Sequence, residues 1–196
     1  MTAYTLPRMD QGERLDQAEY LACFEELFWR SGPEGFWKLE RLQHYQEPGL
    51  ASWEAYFRDG DWDLALRLVE ESRPDVAAHL SRIAAAGVRH HRVRVVERPL
   101  SPYLLWELHL LRLKDQLGEN VRIVDDSLAG PLPELVVLGR HAVFDVRYTP
   151  DGLPDGAVRC TDPDTVAEAR DLVRRLHRVG EPLPAFFARE VQGVRP

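Results

Sequence analysis

Only two of the 196 residues are cysteine, Cys23 and Cys160, and they stand far apart in the chain. Two thiols build neither a disulfide framework nor a four-thiolate zinc site, and a reducing cytoplasm is the compartment they fit. Long apolar runs are also lacking. The longest, Leu104 to Leu113, is interrupted by Glu107, His109 and Arg112, so no segment offers the roughly 20 apolar residues that a membrane-spanning helix needs. The opening MTAYTLPRMDQGERLDQ has no charged segment followed by an apolar one, so no secretory signal is expected. Catalytic motifs are absent as well. There is no Gly-x-x-x-x-Gly-Lys-Ser/Thr phosphate loop, no glycine fingerprint after a strand, no Gly-x-Ser-x-Gly elbow, no His-Glu-x-x-His and no Cys-x-x-Cys. Neither a metal nor a cofactor is therefore expected, and the sequence leans away from an enzyme. Lysine is nearly missing too: Lys38 and Lys114 are the only two among 25 basic residues. A GC-rich genome accounts for such an arginine bias, which by itself says nothing of phosphate recognition.

Charge is uneven along the chain. Residues 1–75 carry 8 basic and 16 acidic groups, residues 76–124 carry 8 and 4, and residues 125–196 carry 9 and 12. A chain of net charge -7 makes a poor general nucleic-acid binder, because phosphates reward a cationic surface, although the basic middle could hold one anion. The mean hydropathy of -0.36 and 44% apolar content are those of an ordinary globular domain.

The expected organisation is one domain over residues 13–190, helical over 13–86 and sheet-forming over 87–190, after a flexible lead-in at 1–12. Tyr20, Leu21, Phe24, Leu27 and Phe28 recur at helical spacing. Phe36 to Leu42 reads as a strand. Short helices follow at Trp53–Phe57, with Ser52 as N-cap, at Trp62–Glu71, and from Pro74 to Gly87. His90 to Val96 alternates, so Val93 and Val95 point one way and Arg92 and Arg94 the other. Ser101 and Pro102 open a helix that Gly118 closes, and Val121–Val124 is the next strand, which makes a parallel βαβ pair. A hairpin spans 135–146, a short strand 157–160, and a last helix runs from Pro163 to Gly180 with Val166, Ala169, Leu172, Val173 and Leu176 on its buried face. Phe186 and Phe187 dock the tail. The fold class is α/β, with α+β as runner-up: a mixed sheet of four to six strands covered by helices.

Candidate site residues gather around the middle of the chain. Adjacent strand residues face opposite ways, so at most one of His90 and His91 joins a site. Glu97, Arg98, Asp125 and Asp126 follow the two parallel strands, where ligands of open α/β sheets bind. Glu107 interrupts an apolar helix and needs a partner, which Arg92, Arg94 or Arg98 could supply. The dense aromatic set Trp29, Phe36, Trp37, Trp53, Tyr56, Phe57 and Trp62 suits core packing, and any surplus in a groove suits a ligand or a partner helix.

From Phe24 onward, over about 150 residues, the chain resembles a family of uncharacterised actinobacterial proteins often encoded beside helix-turn-helix regulators. The residues that carry the resemblance are Phe24–Phe28, Phe36–Glu40, Val93–Val96, Pro99-Leu100, Tyr103, Glu107, Gly118–Arg122 and the hairpin leading to Asp151-Gly152. Two departures stand out: Leu105 replaces an arginine usual two positions after the tyrosine, and Gly139-Arg140 replaces an acidic pair at the hairpin tip. The element order also resembles half of a phospholipase-D-like fold, whose His-x-Lys motif is absent. The resemblance implies a regulatory or accessory role. Three functions are thus expected in order. The first is a non-catalytic regulatory or binding protein of the bacterial cytoplasm, which meets a small polar ligand or a protein partner such as a transcriptional regulator through Arg92, Arg94, Glu97, Arg98, Asp125 and Asp126. The second is a small biosynthetic enzyme with Glu107, His91 and Asp125 as acid/base groups. The third is nucleotide or nucleic-acid binding through residues 89–98.

Overall fold

The computed structural model describes residues 6–9, 11–129 and 132–196, without the side chains of 128 and 129. Much of the lead-in expected at 1–12 lies outside the described residues. The elements in chain order are β1 (Glu13–Leu15), α1 (Gln17–Phe28), β2 (Phe36–Glu40), α2 (Ala51–Phe57), α3 (Trp62–Glu71), α4 (Arg73–Ala85), β3 (His90–Val96), α5 (Pro102–Gln116), β4 (Asn120–Asp125), α6 (Asp126–Ala129), β5 (Leu135–Leu138), β6 (Ala142–Tyr148), β7 (Pro154–Cys160), α7 (Pro163–Val179), β8 (Glu181–Pro182) and α8 (Leu183–Glu190).

Among the described residues eight strands join one mixed sheet in the order β1-β7-β6-β5-β2-β3-β4-β8. The class is α/β, but eight strands replace the four to six expected. The additions are β1, three residues long, and β8, two residues long, each too short to show an alternating pattern. They form the two sheet edges, where short strands limit pairing with other chains. The strands β2, β3 and β4 run parallel, with Lys38 opposite Arg92 and Arg92 opposite Val121. The crossover from β3 to β4 is the expected α5. The one from β2 to β3 carries α2, α3 and α4.

Capping chemistry fixes the helix starts. Asp16 and Glu19 form a reciprocal capping box at α1, with both bonds at 2.9 Å. The Ser101 hydroxyl accepts from the Leu104 amide at 3.1 Å, and Asp162 accepts from Thr165 at 2.9 Å. The Ser52 cap is corrected: α2 begins at Ala51 with Leu50 as its cap, and Ser52 is buried inside the helix.

The alternation of β3 assigns the two faces. Val93 and Val95 meet α7 together with Trp37, Leu39, Val124 and Val137. The opposite face carries two separate apolar groups. One lies under α1 and α4 and includes Phe36, Val136, Leu138 and Phe144; the other lies under α2, α3, α5 and α8 and includes Val96, Val121 and Ile123. Between them on the sheet stand Lys38, Glu40, Arg92 and Arg94. Among the described residues no helix is long and apolar enough to cross a membrane.

Candidate functional site

Because β2 and β3 are parallel and in register, their polar positions form a compact charged ridge. Lys38 Nζ lies 2.5 Å from Glu40 Oε1, and Arg92 bonds both Glu40 and Glu119 through separate nitrogens. Arg94 donates to Glu107 Oε2 at 2.7 Å and to the carbonyls of Leu42 at 2.6 Å, Val95 at 3.1 Å and Glu40 at 3.3 Å. Tyr103 extends the chain to Glu107 at 3.4 Å and Glu47 at 3.1 Å. Burial works to raise the Glu40 carboxyl, but Arg92, Lys38 and Arg94 outweigh it and hold the group below the ordinary carboxylate range. At Glu107 burial prevails over the pull of Arg94, and its carboxyl is pushed up.

One end of this ridge is open. Beneath α1 and α4 lies a cavity of about 550 Å³. Its walls are Tyr20, Phe24 and Phe28 of α1, Trp29 just after it, Val76 and Leu80 of α4, and Phe36 of β2; Glu25, Asp75 and His79 also line it. Phe24 stacks on Phe28 at 5.3 Å, and Phe28 meets Phe36 edge-on at 5.5 Å. The helical spacing of Tyr20, Phe24 and Phe28 puts all three rings on one stripe. The floor is the charged end of the ridge: Lys38, His90, Arg92, Lys114 and Glu119.

The floor holds polar atoms with nothing to bond. Among the described residues Glu119 Oε2 and both ring nitrogens of His90 make no hydrogen bond, although Glu119 is 1% exposed; His90 Nε2 lies 3.6 Å from the other Glu119 oxygen, Oε1. Such groups cost free energy unless something pairs them. Lys114 forms no ion pair among the described residues, whereas Lys38 and Arg92 are both engaged. Burial, with Arg92 and Lys38 adding to it, pulls the Lys114 ammonium below the ordinary lysine range. Burial likewise brings His90 down to about 4, so the ring is neutral at pH 7. The Glu119 carboxyl, despite burial, is held at about 2 by Arg92, His90 and Lys114.

A wider groove of about 680 Å³ runs between residues 41–44 and 145–152, but its carboxylates are already satisfied. Glu134 accepts from the Arg41 and Leu42 amides and the Tyr45 hydroxyl at 2.7, 2.6 and 2.7 Å, and Asp145 pairs with Arg147 at 2.5 Å. No cluster of three or more histidine, cysteine or acidic residues suited to a metal occurs among the described residues.

The residues singled out in sequence are only partly brought together. Arg92 and Arg94 do face away from Val93 and Val95, but helices roof them: Arg92 reaches the cavity floor and Arg94 is fully enclosed. Arg98 pairs with Asp125 and lies 3.6 Å from Glu190, at the carboxyl ends of the strands. Glu97 is exposed there, and Asp126, which follows Asp125 in the chain, opens α6. None of these four lines the cavity. Glu107, His91 and Asp125 do not converge either. Glu107 is sealed against Arg94, whereas His91 lies on the other sheet face, stacked on Trp37 at 3.9 Å. Lys38, Lys114, Glu119, Tyr20 and Phe24 escaped the sequence reading as site residues. A signal was present all the same: the only two lysines of the chain both stand on this floor.

The chain belongs to the family of a domain of unknown function (DUF6879), whose family model matches residues 22–188. No curated protein matches it.

Proposed function

We propose that this protein is a non-catalytic binding module for a small organic molecule with a flat apolar body and one polar head group. The observation that carries the reading is the cavity itself: aromatic walls over a floor with buried polar atoms at Glu119 and His90 that make no hydrogen bond among the described residues, beside Lys114. Its volume is within the ordinary range of small-molecule sites, and a few convergent polar groups under apolar walls are what fix a ligand's orientation. The body would replace water against Phe24, Phe28 and Phe36, and the head group would supply the missing hydrogen bonds. The separation of Glu107, His91 and Asp125 favours this reading over acid/base catalysis by those groups. A regulatory role in the bacterial cytoplasm, with a transcriptional regulator or another protein receiving the bound state, extends the same reading.

The test is a thermal-shift and calorimetric screen of one- and two-ring aromatic compounds bearing alcohol, amine, carboxylate or carbonyl groups. At least one class should raise the melting temperature of the parent. Leu80→Trp, which adds bulk to the wall, should abolish that rise. An equal rise in both proteins, or no binding by any class at millimolar concentration, overturns the proposal.

A further inference from the structure

The cavity floor points to a particular head group. Resting on the binding reading above, we propose that the ligand carries an aldehyde or ketone, and that Lys114 captures it reversibly as an imine.

Residue choice is the first argument. The chain uses arginine at 23 basic positions and lysine at two, and both lysines line one cavity. A drift toward arginine would have replaced these as well if any cation served. An ammonium differs from a guanidinium in one chemically decisive way: it loses its proton within reach of neutral pH and becomes a nucleophile. Of the two, Lys38 is committed to Glu40 at 2.5 Å, whereas Lys114 has no ion partner among the described residues.

The surroundings of Lys114 favour its neutral form. Burial disfavours the charge, and Arg92 and Lys38 add repulsion; Glu119 opposes them, but Arg92 already engages that carboxylate. A carboxylate ligand fits poorly, because it would meet the free oxygen of Glu119 and the acidic Glu25 and Asp75 lining the same cavity. A neutral carbonyl carries no such penalty.

The reaction is balanced without any further reagent. The Lys114 nitrogen lone pair adds to the carbonyl carbon while the C=O π pair moves onto oxygen. A proton passes from nitrogen to oxygen to give a carbinolamine. The C–O bond then breaks as the nitrogen lone pair forms C=N; the oxygen takes a second proton, the one the Lys114 ammonium gave up on becoming the free amine, and leaves as water, so that ammonium plus carbonyl gives protonated imine plus water. Neutral His90, whose ring nitrogens make no hydrogen bond among the described residues, can relay a proton from nitrogen to oxygen, and Glu119 Oε2 can accept a hydrogen bond from the protonated imine N–H.

The experiment treats the whole chain with substoichiometric 2-naphthaldehyde and sodium cyanoborohydride, followed by intact-mass analysis and peptide mapping. In parallel, 2-naphthylmethanol, which cannot form an imine, is titrated by calorimetry. The expected result is a single adduct on each labelled chain, heavier by the aldehyde less one oxygen, at Lys114 ahead of Lys38 and the N-terminal amine. Lys114→Arg should lose the adduct, Lys38→Arg should keep it, and Leu80→Trp should lose both adduct and alcohol binding. Alcohol binding that Leu80→Trp blocks, with no adduct at Lys114, sinks the imine and leaves the binding reading standing. Failure of alcohol and aldehyde alike sinks both. A Lys114 adduct that persists in Leu80→Trp also overturns the proposal, since capture would then not need the cavity.

Discussion

Replacing Glu107 by glutamine tests the centre of the buried ridge. The wild-type carboxylate takes a bond from Arg94 Nε at 2.7 Å, and Arg94 is 0% exposed. The substitution keeps the shape and one acceptor oxygen but leaves the guanidinium without a counter-charge. Breaking a buried pair by removing one partner costs about 3–5 kcal/mol. The lower end applies here, because the carbonyls of Leu42, Val95 and Glu40 still solvate Arg94. For a chain of 196 residues, a loss of about 3 kcal/mol corresponds to a fall in melting temperature of about 7 °C at the usual unfolding entropy per residue. The assay is thermal unfolding by circular dichroism, supported by urea titration. The double substitution Arg94→Met with Glu107→Leu should recover only part of the loss: apolar replacement of a whole buried pair is often neutral or better, but here the Leu42 carbonyl also loses the Arg94 donor. A Glu107→Gln protein that melts with the parent refutes the structural role. If it also loses ligand binding, Glu107 belongs to the site instead.

Acid should weaken the fold in two overlapping windows. Burial depresses His90 and His91 from 6.5 to about 4, so the folded chain binds fewer protons than the unfolded one between those values. Their stabilisation is complete above pH 6.5 and lost as pH falls toward 4, at most about 3 kcal/mol for each ring. Glu119, held at about 2, adds a loss as pH falls from 4.5 toward 2. Urea midpoints measured from pH 7 to pH 4 should decline, and less steeply in His91→Phe; a flat profile in the parent contradicts the assignment. A separate pair of substitutions tests backbone geometry. Gly156 has φ +72°, and a Cβ there would lie 2.2 Å from the Leu15 carbonyl oxygen, whereas Gly49 at φ +89° faces open space. Gly49→Ala should cost about 1–2 kcal/mol from backbone strain alone, and Gly156→Ala clearly more because β1 must also shift off β7. Equal melting temperatures for the two variants would refute the clash.

How far the sequence could be read depended on what kind of regularity each feature has. The alternation of His90–Val96, the apolar stripe of α7 and the helix between two strands are local patterns, and each reappears in the structure. So does the demand that Glu107 find an arginine, because a carboxylate on a helix apolar nearly all round leaves few alternatives. Strand alternation, however, says which face a side chain takes and not what covers that face. Arg92 and Arg94 read as ligand-binding residues on one face of the strand, yet α1, α4 and α5 roof them, and pairings across large sequence separations put those helices there. The same limit hid the cavity. Tyr20, Phe24 and Phe28 satisfy the pattern of a core face, and a helix stripe that packs on a sheet along one edge and walls a void along the other has the same spacing in sequence.

Lys114 shows where composition and topology have to be combined. Alone, a lysine in the last turn of α5 is explained by the helix dipole. Alone, a shortage of lysine is explained by codon bias. Neither explanation predicts convergence. Lys38 reaches the floor through the parallel register of β2 with β3, and Lys114 reaches it from α5, next to the turn that delivers Glu119. Two independent routes through the fold thus bring the chain's only primary-amine side chains to one site, which is the coincidence that a need for amine chemistry explains and a need for positive charge does not.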